Sequence, residues 1–115
     1  MGRLTTHVLD THSGCPAANM ALTLFLAEDM RQLVAARTNS DGRVDGPLLE
    51  AETLVQGRYV LRFWAGDYFR ARGLSLPDPS FVDVVDIAFG VAQPAENYHV
   101  PLLVSPWSWS TYRGS

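Results

Sequence analysis

The chain has 115 residues, of which 47% are hydrophobic and 18% charged, with a formal net charge of −3 at pH 7. This length is typical of one domain, here residues 1–115, and the composition favours a globular fold over disorder. The negative charge argues against a nucleic-acid or membrane-surface partner, and the lack of lysine excludes Schiff-base chemistry.

Alternating apolar and polar residues predict the first strand over residues 3–10. Leu4 and Val8 then lie on one face and His7 lies on the other. A turn cluster follows, and we interpret the lone Cys15 within it as a turn residue rather than a reactive thiol. The other predicted strands cover residues 20–28, 32–38, 57–65, 81–89 and 98–104.

Two connections between these strands carry specific signals. Asp41 and Gly42 form a tight-turn pair that places Arg43 directly after the bend. Residues 67–73 form the one helix-like segment, with Asp67 as the expected N-cap and Gly73 just beyond the C-terminus. Residues 47–53 are ambiguous between a short strand and a loop.

The last eighteen residues are unusually apolar for a chain terminus. Residues 98–104 alternate, which places His99 on the face opposite Val100. A second β-prone run covers residues 107–112, after Pro106. Trp107 and Trp109 within it are interpreted as core or subunit-interface residues, because no basic groove accompanies them to support base stacking.

Seven or eight short strands and one short helix predict an all-β fold in which two sheets pack as a β-sandwich. A small closed barrel is the alternative. No segment has the length of a transmembrane helix and no signal peptide is apparent, so a cytoplasmic protein is expected unless a leader was removed.

Few residues carry recognisable chemistry. His7 and His99 lie mid-strand, and periodicity leaves open whether they form a site or are solvated or buried structural residues. Arg43 is either an anion-binding residue or a solvated turn residue. His12 is expected to be solvated, the histidine spacing does not favour a metal site, and no nucleophile motif occurs.

The sequence resembles the 5-hydroxyisourate hydrolase family, the transthyretin-related enzymes of urate breakdown. Three signature blocks carry the resemblance, namely LTTHVLD at residues 4–10, TNSDGR at 38–43, and YHVPLL at 98–103 continued by STYRGS at 110–115. The last block distinguishes the hydrolases from the hormone carrier transthyretin. The tail departs from the family pattern, because SPWSWS stands at residues 105–110 where SPYGYS is common.

The resemblance implies a two-sheet transthyretin (prealbumin)-like sandwich that assembles as a homotetramer, with active sites at the dimer–dimer interface and no cofactor or metal. It assigns catalysis to His7, Arg43, His99 and Ser110. It assigns substrate binding to His7, Arg43, Tyr112, Arg113 and Ser115. A non-enzymatic carrier of small planar ligands and a structural sandwich module are the alternatives.

Within that family reading, the substrate is a small planar urate derivative whose ring opens at a cyclic amide-like bond. His7 is expected to activate or position water, with His99 as its partner or as a substrate-orienting donor. Arg43 is expected to hold the anionic substrate and stabilise oxyanion charge. Tyr112 and Ser115 are expected to close the cleft.

Overall fold

In the computed structural model, which describes residues 2–114, the chain forms two separate sheets packed face to face. One sheet contains β1 (Arg3–Asp10), β2 (Cys15–Pro16), β5 (Leu49–Glu50), β8 (Tyr98–Val104) and β9 (Trp109–Thr111). The other contains β3 (Ala21–Leu26), β4 (Arg31–Arg37), β6 (Gly57–Trp64) and β7 (Val84–Val91). The predicted all-β sandwich is confirmed, and the closed barrel is wrong.

Strand order places the two ends of the chain side by side. The first sheet runs β2-β1-β8-β9 with β5 also on β1, and the second runs β4-β3-β6-β7. β1 and β8 pair in parallel, whereas the other strand pairs are antiparallel. Residues 47–53, which the sequence left ambiguous between a short strand and a loop, contain β5 and a 3₁₀ turn, Ala51–Thr53.

The core lies between the sheets and follows from strand alternation. In β1, Leu4 and Val8 are fully buried, while His7 on the opposite face is only half-buried. Tyr59, Leu61 and Phe63 of β6 fill the core, as their period of two predicted. Burial of these large apolar side chains is the main stabilising contribution, at about 1.5–3 kcal/mol for each aliphatic or Phe side chain.

The helix, α1, spans Ala65–Ala71 and follows β6 without a loop. The expected N-cap was wrong by three residues, because Trp64 occupies that position and Asp67 lies in the first turn. Ala65 is buried and the Gly66 amide donates to the Asp83 carbonyl at 2.8 Å, so packing against the sheet begins the helix early. Gly73 does follow the C-terminus, with φ of +88°.

The helix is fastened to the end of β1 through a buried carboxylate. Asp10 is fully buried and accepts hydrogen bonds from the Tyr68 hydroxyl at 2.9 Å and the Ser13 amide at 2.8 Å. Burial and this hydrogen bond raise the pKa of Tyr68, so its hydroxyl remains a donor. The strand that carries His7 is therefore anchored at its C-terminal end.

Several aromatic residues lie at the surface of the single chain. Trp107 and Trp109 are 60% and 43% exposed, so neither is a core residue, and a subunit interface stays the prediction for both. The strand expected from residue 81 begins at Val84, and Phe81 lies outside it, stacked on Trp107 at 6.3 Å. Phe89 stacks on Tyr59 but is only partly buried, because β7 is an edge strand of its sheet. Among residues 2–114, no helix is long and apolar enough to span a membrane.

Candidate active site

His7 and His99 lie close together on the outer face of the five-stranded sheet. The parallel register places Thr5 opposite His99 and His7 opposite Pro101. Because side chains alternate along a strand, Thr5 and His7 share the outer face of β1 with His99 on the neighbouring strand. Both histidines are half-buried, so each imidazole combines protein contacts with access from solvent.

Arg43 reaches the same face through the tight turn that the sequence predicted. The Asn39 side-chain oxygen accepts hydrogen bonds from the amides of Asp41 at 2.9 Å and Arg43 at 3.2 Å. Gly42 has φ of +76°, and its carbonyl accepts from the Val8 amide at 2.8 Å. A β-bridge then pairs Arg43 with His7, so the turn delivers an exposed guanidinium beside this histidine.

The chain's tail returns to the same place. Gly114 forms a β-bridge with His99, and its amide donates to the His99 carbonyl at 2.8 Å. The backbone of Gly114 passes so close to the imidazole that a Cβ there would lie 2.5 Å from the His99 Cδ2 atom. Glycine is therefore required by space at this position.

The surroundings of His99 favour its neutral form. Burial lowers the pKa of His99, and Coulombic interactions with Arg43 and with His7 lower it further. Its Nδ1 atom lies 2.8 Å from the Thr5 hydroxyl oxygen. At neutral pH the site therefore presents a neutral imidazole beside a permanent cation, an arrangement suited to an anionic substrate that undergoes acid–base chemistry.

Replacing Arg43 by glutamine should raise the pKa of His99 toward its ordinary value of 6.5, because one of the repelling charges is removed. The rise should be partial, since burial is the larger cause. NMR titration of the His99 ring measures the change. The same titration of Arg62→Gln, on the other sheet, is the control and should leave this pKa unchanged.

The lowered pKa of His99 also determines how the free energy of unfolding changes with pH. A lowered pKa means that the folded state binds fewer protons than the unfolded chain in the window below 6.5. This contribution to the free energy of unfolding is complete above 6.5 and is lost as the pH falls through the lowered pKa. Arg43→Gln should bring the pKa of His99 in the folded state closer to 6.5 and so narrow the pH range over which this contribution is lost. An unchanged His99 pKa in this variant would contradict the proximity of the two charges.

The other predicted site residues are placed differently in this chain. Ser110 lies on exposed β9, opposite Leu103, without a described hydrogen bond to His7, Arg43 or His99. Tyr112 is 62% exposed and lines an apolar groove of about 340 Å³ between β7 and β8.

Arg113 is held by contacts of its own. Its guanidinium lies 4.2 Å from the centre of the Tyr98 ring and donates to the Asn97 carbonyl at 2.9 Å. An ion pair with Glu96 at 3.2 Å completes its partners. Ser115 lies outside the described residues.

One residue at the centre was missed by sequence reasoning. Thr5 contacts the His99 ring, and it carried no signal apart from its place two residues before His7 in the first signature block. Recognising its role requires the β1–β8 register, which periodicity does not give. Within residues 2–114, no group of three histidine, cysteine or carboxylate side chains is arranged to hold a metal ion.

Known proteins resemble this chain over nearly its whole length. Residues 4–114 match the HIUase/Transthyretin family. The chain is 61% identical to a 5-hydroxyisourate hydrolase of Ralstonia nicotianae, with 100% of each chain covered.

Two solved structures extend the comparison. The 5-hydroxyisourate hydrolase of Klebsiella pneumoniae superposes with a TM-score of 0.84 at 33% identity, covering 100% of both chains. The crystal structure of an (S)-allantoin synthase superposes with a TM-score of 0.94 at 44% identity over 99% of this chain. This chain spans 44% of the length of that synthase.

Proposed function

The chain belongs to the HIUase/transthyretin family, and we propose that it is an enzyme that hydrolyses 5-hydroxyisourate to 2-oxo-4-hydroxy-4-carboxy-5-ureidoimidazoline in urate catabolism. The observation that carries this proposal is the convergence of His7, Arg43 and His99 on one face, in a chain 61% identical to a relative of that name over its full length. A carrier of planar ligands would not need two histidines at its binding site.

The reaction requires water to attack a ring carbonyl and the ring nitrogen to leave with a proton. His7 takes a proton from the attacking water as the new C–O bond forms, and it returns that proton to the nitrogen as the C–N bond breaks. Such positioned acid–base catalysis supplies roughly 10²- to 10⁴-fold in rate. Arg43 holds the anionic substrate and stabilises the negative charge that develops on the carbonyl oxygen.

The neutral state of His99 suits it to orienting the substrate. A neutral imidazole with a lowered pKa is a weaker base, and it remains a hydrogen-bond partner for the substrate. The groups therefore divide the work, with proton transfer on His7 and orientation of the substrate on His99 and Arg43.

We further propose that the active unit is a homotetramer with its sites at the dimer–dimer interface. The open outer face around His7 and the exposure of Trp109 and Tyr112 in the single chain support this assembly. A partner subunit would then enclose the site. The tail residues would thereby contact the substrate, namely Ser110, Tyr112, Arg113 and Ser115. Light scattering that finds a monomer under assay conditions would contradict the assembly.

The activity is tested by preparing 5-hydroxyisourate from urate with uricase and following the decay of its ultraviolet absorbance. Adding this protein should accelerate the decay well beyond the spontaneous rate. Boiled protein serves as the control for buffer and trace-metal effects. Tight binding of the substrate without accelerated decay would favour the carrier alternative and overturn the enzyme assignment.

A further inference from the structure

We propose that Thr5 is a positioning residue that fixes the tautomer of His99, so that the Nε2 proton of the imidazole faces the substrate. This inference rests on the proposed function, because it assigns a task to His99 in that reaction. It concerns a residue outside the set assigned from the signature blocks. Two contacts of the His99 ring, with Thr5 and with Gly114, carry the proposal.

The first contact is the hydrogen bond between the Thr5 hydroxyl and His99 Nδ1, at 2.8 Å. It joins residues directly opposite each other in the parallel β1–β8 pair, so both backbones hold it in place. The second contact is Gly114, whose backbone lies against the Cδ2 edge of the same ring. Together these contacts prevent the ring from turning over and leave Nε2 as the atom available to a ligand.

The direction of the hydrogen bond decides which nitrogen carries the proton. A hydroxyl proton in a half-buried position needs an acceptor, and His99 Nδ1 is the partner that the described residues give to the Thr5 hydroxyl. The neighbouring Thr6 differs, since its hydroxyl donates to the Val100 carbonyl at 2.7 Å. If Thr5 donates to Nδ1, the single proton of the neutral imidazole is on Nε2.

Charge around the ring disfavours the doubly protonated imidazole, and the proposed tautomer is a neutral form. Arg43 and His7 are the charged and titratable groups that act on His99, and both disfavour a second proton on it. A neutral imidazole with Nε2–H donates a hydrogen bond to the substrate oxygen on which negative charge develops. The opposite tautomer would aim a lone pair at that oxygen and repel it.

Thr5→Val keeps the shape of the side chain and removes its hydroxyl. We expect kcat to fall about tenfold to a hundredfold, because the Nε2 proton is no longer enforced. KM should change by less than about threefold, since the lost interaction is strongest in the transition state. Thr5→Ser restores the hydroxyl and should restore most of kcat.

Thr6→Val is the matched control. It removes a hydroxyl from the adjacent position of the same strand, on the face away from His99. This variant should lose stability but retain kcat and its pH profile. A loss of kcat in Thr6→Val equal to that in Thr5→Val would reduce Thr5 to a structural role and overturn the proposal.

The tautomer is read directly by two-bond ¹H–¹⁵N NMR correlations of the histidine rings, without substrate. In the wild-type protein the His99 proton should be on Nε2, and in Thr5→Val the ring should become a mixture of tautomers. A wild-type proton on Nδ1 would overturn the proposal. This result is independent of turnover, so failure of the hydrolysis assay with Nε2–H present would count against the proposed function alone.

Discussion

Replacing His7 or His99 by alanine is expected to lower kcat by about 10²- to 10⁴-fold. The two losses have different causes. His7→Ala removes the group that exchanges a proton with the water and the leaving nitrogen. A loss of about 10²- to 10⁴-fold is the usual contribution of such acid–base catalysis. His99→Ala removes a donor aimed at developing oxyanion charge, a contribution of about 10²- to 10³-fold in well-studied sites. Steady-state kinetics with fresh 5-hydroxyisourate measures both.

His12→Ala is the matched control for these variants. His12 is exposed in the turn after β1, so its removal should leave kcat unchanged. Circular dichroism should find all three variants folded, because His7 and His99 lie on the outer face and not in the core. Full activity in either of the first two variants would remove that histidine from the mechanism.

Gly114→Ala is expected to lower kcat about a hundredfold while the protein remains folded. The added Cβ would meet the His99 ring at 2.5 to 3.2 Å, closer than non-bonded atoms tolerate. Either the ring rotates or the tail withdraws, and a displacement of about 1 Å at a catalytic group is enough for a loss of this size. Kinetics and the NMR signals of the His99 ring should change together.

Gly90→Ala is the corresponding control. A Cβ at Gly90, on β7, would have no described heavy atom within 4 Å, so the same substitution adds no clash within the chain. It should retain activity and the native His99 signals. If Gly114→Ala also retained both, the tail would not hold the imidazole, and the close contact would have no catalytic consequence.

Local pattern was sufficient for much of the fold. The alternation in residues 3–10 predicted β1 with the correct bounds. It also placed His7 and Val8 on opposite faces of the strand, because a period of two follows from strand geometry alone. The Asp41–Gly42 pair likewise identified the turn before Arg43. Pattern failed where packing decides, as at the helix start, where the burial of Ala65 outweighed the capping preference of Asp67.

Local pattern could not predict the site. Thr5 and His99 are 94 positions apart, and nothing in either strand's periodicity specifies that they pair, or that the pairing is parallel. Family resemblance supplied the identities of His7, Arg43 and His99, and the structure brings these together. For Tyr112 and Arg113 the resemblance assigns a role that the single chain does not display, since their neighbours are the groove and Tyr98.

The pairing of β1 with β8 also determines when the reactive centre can exist during synthesis. The four-stranded sheet is built from strands between Ala21 and Val91, so it contains none of the last strands of the chain. β1 must wait for β8, and His7 has no neighbouring imidazole until then. We therefore expect hydrolytic competence to be acquired last, and a chain stalled before residue 99 to be inactive.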